Sequence, residues 1–187
     1  DAEEIAVDIA NMVAMAAEIA GDTGREMAVL AEGDGPHVLA WRDWTASAEV
    51  VTKPGGFALH GVLDALDVAS GSALPVEGGA MIYIEPTRAL VAVDVNTGAD
   101  TSLAAGLKAN LACARALPRA LRVRGLGGQI VLDVAPMPKK DRRAFETALR
   151  QAFRSDDTET ALVGWTPLGH YELQRKRARI PLSEVMR

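Results

Sequence analysis

The chain is poor in cysteine, histidine and aromatic rings. Cys113 is its single cysteine among 187 residues, which excludes an internal disulfide and any cysteine-cluster zinc site within one chain. A lone thiol in a helical stretch reads as a small core residue, and it fits a reducing, cytoplasmic setting. Aromatic residues make up 4% of the chain and hydrophobic residues 49%. Ala, Val and Leu must therefore build the core, which favours α/β packing over an aromatic-rich barrel. Long apolar runs are also missing. The most apolar opening stretch, residues 5–20, contains Asp8, Asn11 and Glu18, too short and too polar for a bilayer, so no membrane segment is expected. No signal peptide is visible, and the opening Asp1 reads as a cut or processed start.

Charge is present but unevenly placed. The net charge is −5, yet residues 1–100 hold 17 acidic and 4 basic side chains while residues 101–187 hold 8 and 16. Overall acidity argues against indiscriminate nucleic-acid binding. The basic half can still be an electrostatic footprint, or its charges can be solvated helix faces and partners of the acidic half.

Two stretches organise the rest. GGAMIYIEPTRALVAVDVN runs from Gly78 to Asn96, and GGQIVLDVAPM from Gly127 to Met137. Each follows a glycine pair, reads as a buried sheet strand, and ends near a carboxylate, Asp94 in one and Asp133 in the other. The pattern predicts a strand over 89–96, a helix over 101–117 and a strand over 128–134. Such a unit makes the strands parallel, with a right-handed crossover, and sets both strand ends on one rim of the sheet. Asn96 lies two residues beyond Asp94 and points the same way if the strand continues. Two carboxylates and an amide suit a hard cation such as magnesium. The same residues also serve as turn formers and caps, and Asn96-Thr97-Gly98 is turn-like in its own right.

The remaining elements follow in order. Residues 2–20 read as an amphipathic helix with Ile5, Ile9, Val13 and Ile19 on one side. Short strands are expected over 26–31, 38–41 and 50–51, with Trp41 and Trp44 as packing residues and His37 in a loop. Lys53-Pro54-Gly55-Gly56 breaks the pattern. Residues 1–59 then form an N-terminal helix and a small α/β part, and 60–187 a main α/β domain. A helix is expected over 60–69, with His60 as a capping or surface residue. Residues 72–79 read as a connection, 81–85 and 89–95 as an antiparallel hairpin around Pro86-Thr87-Arg88. The helix after Asp100 or Thr101 puts Leu103, Leu107, Leu111 and Ala114 on one face and should end or kink at Pro118. Arg115, Arg119, Arg122 and Arg124 cluster before the next glycines, in a pattern that is not a phosphate-binding P-loop. A helix over 140–153 carries Arg142, Arg143 and Arg150 on its outer face. Strands over 161–164 and 170–175 and a basic tail complete the chain.

Taken together, LPVEGGAMIYIEPTRALVAVDVNTG, KANLACARALPRALRVRGLGGQIVLDVAPM and WTPLGHYELQRKR, in that order, resemble the ribonuclease E/G family of bacterial endoribonucleases. The resemblance covers about residues 74–177. It implies a mixed β-sheet flanked by helices, the family's DNase I-like catalytic subdomain, with residues 23–70 resembling a reduced RNase H-like part. It implies that Asp94 and Asp133 hold magnesium and that Asn96 positions the scissile phosphate or the attacking water. The implied reaction is hydrolysis of single-stranded RNA, leaving a 5′ phosphate and a 3′ hydroxyl. Arg88, Arg122, Arg124, Lys139 and Lys140 are candidates for phosphate contacts, from charge and proximity to the motifs.

Departures from the family pattern bound this reading. The OB-fold RNA-binding domain and the pocket for a 5′ monophosphate do not fit before residue 74. Longer members carry a second Asp where this chain has Pro136. The zinc-linking cysteine motif is absent, which argues against a zinc-bridged dimer and leaves other homo-oligomers open. The chain then reads as the catalytic fragment of a compact, zinc-free member. The rivals are a non-catalytic RNA-binding or scaffold module of the same fold, and a metal-dependent phosphodiesterase acting on something other than RNA.

Overall fold

The computed structural model describes residues 2–24, 29, 33, 35, 38–40 and 49–186. They fall into two compact units, Asp1–Val51 and Thr52–Arg187. Of the strand expected over 26–31 only Val29 is described, outside any element, and His37, Trp41 and Trp44 lie outside the described residues. In the first unit, α1 spans Ala2–Gly21 with its apolar stripe on the surface. Residues 38–40 are helical where a strand was expected, and residues 50–51 form no strand. Among the described residues no helix is long and apolar enough to cross a membrane.

The second unit opens with two helices where one was expected: α2 (Gly56–Leu59) and α3 (Val62–Ser70). Gly61 separates them with φ 67°, left-handed backbone that a glycine adopts without strain and a regular helix cannot contain. His60 caps the short helix at its C-terminus. The connection over 72–79 holds an unexpected strand, β1 (Ala73–Pro75), too short to show alternation. Then come β2 (Met81–Pro86), β3 (Val91–Asn96), α4 (Leu103–Arg124) and β4 (Gly128–Asp133). After them lie α5 (Arg142–Phe153), β5 (Thr160–Trp165), β6 (Tyr171–Arg175) and a short α6 (Leu182–Val185).

The six strands form one mixed sheet in the order β1-β2-β3-β4-β6-β5. Only β3 and β4 are parallel; the other neighbouring pairs are antiparallel. Period-two alternation decides what each strand buries. Val91, Val93 and Val95 of β3 and Ile130 and Leu132 of β4 turn inward, onto a core shared with Leu117 and Leu121 of α4 and Phe145 and Leu149 of α5. The alternate residues Asp94, Asn96, Gln129 and Asp133 are exposed. These strands are therefore covered on one face, not on both as their apolar character suggested.

Helix α4 departs from expectation in three ways. Its N-cap is Ser102, whose Oγ accepts from Ala105 N–H at 3.2 Å, and Asp100 instead accepts the Ser102 N–H at 2.9 Å. That bond holds the Asp100 carboxyl below its ordinary range. The buried face is made mostly of small residues, including Gly106, Ala109, Cys113, Ala114 and Ala120, with Leu117 and Leu121 as its large members, while Leu103 is exposed. The helix also runs on through Pro118 to Arg124. A mid-helix proline costs about 3 kcal/mol; burial of Pro118 between the fully buried Leu117 and Leu121 offsets it.

A carboxylate pair at the end of the parallel strands

The parallel pairing sets Asp94 directly opposite Asp133. Neighbouring strands lie about 4.8 Å apart, and both aspartates belong to the outward set, so their carboxylates share one side of the sheet. Adjacent like charges repel by about 1 kcal/mol in a watery setting, and a cation between them removes that cost. Asn96 Nδ2 donates to Asp94 Oδ2 at 2.6 Å. The amide thus orients one carboxylate, and Asn96 is itself exposed.

The loop after Asp133 is clamped to α4. The buried Asn110 donates Nδ2–H to the Ala135 carbonyl at 2.8 Å and accepts the Ala135 N–H at 2.9 Å. One turn earlier stands Gly106, where any Cβ would run into the Pro136 carbonyl. Glycine is required there by close approach, and the asparagine satisfies a backbone segment that has left the sheet. Asp133 is therefore held from both sides, by the β-ladder before it and by α4 after it.

The antiparallel return of β6 beside β4 brings in a residue not singled out in sequence. Leu132 pairs with Tyr171, so His170 arrives next to Asp133, with Nδ1 at 3.3 Å from Oδ1. The contact lacks hydrogen-bond alignment, since His170 Nδ1 is buried with no hydrogen-bonding partner. Arg142 stacks over the Trp165 ring at 4.2 Å, and its Nη2 is the nearest group to a Cβ built on Gly169. An outer-face arginine thus leans towards the rim through an aromatic cluster of Phe145, Trp165 and Tyr171. Burial raises the Tyr171 hydroxyl above its ordinary range, with Glu146 adding to the effect. On the other flank Tyr83 of β2 is paired with Asp94 and its ring is exposed.

The candidate phosphate contacts divide between the two ends of the sheet. Lys139 and Lys140 follow Asp133 in a short 3-10 turn and share its rim, both exposed. Arg88 sits in the β2–β3 turn, at the opposite rim. Arg122 and Arg124 end α4, next to the start of β4, and so also lie at the opposite rim. Arg122 is engaged there with Asp156 at 2.9 Å. Arg124 is buried.

Among the described residues no group of three or more His, Cys, Asp or Glu is arranged to hold a metal ion. Any ion at this rim would rest on the two aspartates alone among acidic ligands. That donor set matches magnesium, which takes one or two carboxylates and keeps its other positions for water and phosphate.

A sequence model of the ribonuclease E/G family matches residues 42–178. Ribonuclease G of Salmonella typhimurium is 33% identical over 138 residues, 70% of this chain and 28% of the relative. Ribonuclease E of Escherichia coli is 37% identical over 112 residues, 57% of this chain and 10% of that protein. A chloroplastic ribonuclease E/G-like protein of Arabidopsis thaliana is 30% identical over 130 residues. The chain spans little more than a quarter, 28%, of the ribonuclease G proteins it matches.

Proposed function

The chain belongs to the ribonuclease E/G family, and from that premise we propose that it is the catalytic portion of a magnesium-dependent endoribonuclease. The observation that carries this is the in-register Asp94–Asp133 pair on the exposed side of the parallel strands β3 and β4. The substrate is single-stranded RNA, and the products carry a 5′ phosphate and a 3′ hydroxyl.

Each residue has a stated task. Asp94 and Asp133 hold the cation, and Asn96 fixes the Asp94 carboxylate through its amide N–H. When bound, magnesium supplies charge for a phosphoryl oxygen and acidifies a water. His170 stands beside Asp133, with Nδ1 3.3 Å from Oδ1, and its ring limits how that carboxylate can turn. The Asn96 amide oxygen and the exposed face beside it offer an acceptor for the attacking water. Lys139 and Lys140 draw phosphates to a rim that would otherwise repel them. The exposed Tyr83 ring beside Asp94 gives an unpaired base a face to stack on, which single-stranded RNA can use and a duplex cannot. The cytoplasm, where the one buried thiol stays reduced, is the compartment this reading assigns.

The test is cleavage of a 5′-monophosphorylated single-stranded RNA with magnesium or with EDTA, by this chain and by Asp133→Ala. Magnesium-dependent cleavage that disappears in the variant is the expected result. RNA binding without cleavage, unchanged in Asp133→Ala even when the rest of a family member is supplied, would leave a binding module instead. Equal cleavage of a DNA oligonucleotide would replace RNA as the substrate class.

A further inference from the structure

Arg124 is a buried cation without an anion. It is 7% exposed. Its N–H groups reach the Gly71 carbonyl at 3.3 Å and the Ala120 carbonyl at 3.5 Å, and its Nε has no partner. Burial lowers its pKa, yet a guanidinium stays protonated in a protein. The end of α4 favours a positive charge, but the Leu121 and Arg122 carbonyls are already taken by the Leu126 and Gly125 N–H groups. An uncompensated buried charge is a costly arrangement.

Arg124 lines a hollow of about 440 Å³ between the end of α3, the end of β2 and α6. Pro86, Thr87, Leu126 and Ser183 line both this hollow and a second of about 510 Å³. The second is walled by Arg88, Arg177 and Arg179. Among the described residues none of these three makes a hydrogen bond or ion pair. Glu85 lines the first hollow and Glu184 the second, and neither is paired with an arginine.

We propose that a phosphate group binds at the Pro86-Thr87 wall that the two hollows share, reached by Arg124 from the first and by Arg88, Arg177 and Arg179 from the second. Guanidinium forks match phosphate oxygens in pairs, and an anion here would supply the missing counter-charge of Arg124. Glu85 and Glu184 oppose the anion and set an upper limit on affinity. The phosphate comes either from an RNA backbone or from a small phosphate compound. The RNA source rests on the nuclease reading; the site itself does not. Five residues of β4, 128–132, lie between Gly127 at its wall and Asp133, a span of about 20 Å at strand spacing, so an RNA reaching both would extend well beyond the scissile bond.

Calorimetric titration of the chain with inorganic phosphate, in EDTA and at constant ionic strength, tests this. Binding of one phosphate is expected, lost in Arg124→Gln and weakened about tenfold in Arg88→Gln/Arg179→Gln. Glu85→Gln should tighten it. Asp94→Asn should leave it unchanged, so failure here and failure of the nuclease reading are separable. If Arg124→Gln does not fold, the exposed double variant carries the test. Displacement of a 5′-hydroxyl single-stranded RNA by phosphate assigns the backbone as source, and phosphate binding without displacement assigns a small ligand. Absence of phosphate binding by the unmodified chain, or equal affinity in the double variant, overturns the proposal.

Discussion

The two ends of the sheet hold opposite charges and keep them differently. At the end of β3 and β4, Asp94 and Asp133 stand in water, side by side, with an amide and an imidazole as neighbours. At the other end two arginines, Arg124 and Arg175, are drawn into the fold. Arg175 is 2% exposed and is met by Asp156 at 2.9 Å, with Thr160 Oγ1 accepting a further N–H at 2.8 Å. Arg124, in the same region, has no carboxylate. A charge that is exposed can await a ligand at little cost, whereas a buried one must be compensated within the fold or by something bound. The acidic end is thus suited to a cation, and the basic end divides into a finished structural pair and an unfinished one.

The largest effect should come from the acidic end. Asp94→Asn and Asp133→Asn should each lower magnesium-dependent RNA cleavage about a thousandfold, while thermal melting by circular dichroism stays put. Wild-type rates in either variant would dissolve the contrast between the two ends. Next, Asp156→Ala would turn Arg175 into a second uncompensated arginine. It should cost about 3–5 kcal/mol in urea denaturation; a cost below about 1 kcal/mol would show that water already reaches this pair.

Smaller effects sharpen how the acidic end is held. Asn110→Ala leaves both Ala135 backbone groups without partners and should cost about 1–3 kcal/mol, with a lower kcat at unchanged RNA affinity. His170→Ala should lower kcat about tenfold with the melting temperature unchanged, and His170→Gln should recover part of it; a shift in stability with no change in kcat would make the histidine a packing residue. The smallest effect concerns Cys113. Burial pushes its thiol up from 9.0 to about 12, so native protein should resist alkylation at pH 8. The unfolded thiol ionises first as pH rises. The contribution to stability is therefore whole below pH 9 and declines from there towards pH 12, visible as a falling urea midpoint that Cys113→Ala should partly flatten.

Most of the sheet was legible because period-two alternation and the glycine pairs mark β2, β3 and β4 without ambiguity. Asp94, Asn96 and Asp133 were legible for the same reason, as polar residues at the ends of apolar strands. The strand β1 was not, since three residues ending in Pro75 carry no pattern. Pro118 misled because the local penalty is real and only core packing outweighs it. His170 was invisible as a site residue because β6 lies beside β4 across two intervening elements. A polar residue amid the small apolar face of α4 was the available signal for Asn110.

The sequence by itself determined the strands, the aspartate positions and the family, because alternation and short motifs are local properties of the chain. Tertiary structure alone decided that the two aspartates are direct neighbours, that His170 joins them, and which buried arginine has a carboxylate. Those outcomes depend on strand order and on which distant residues meet, and the physical worth of a charge is set by what surrounds it.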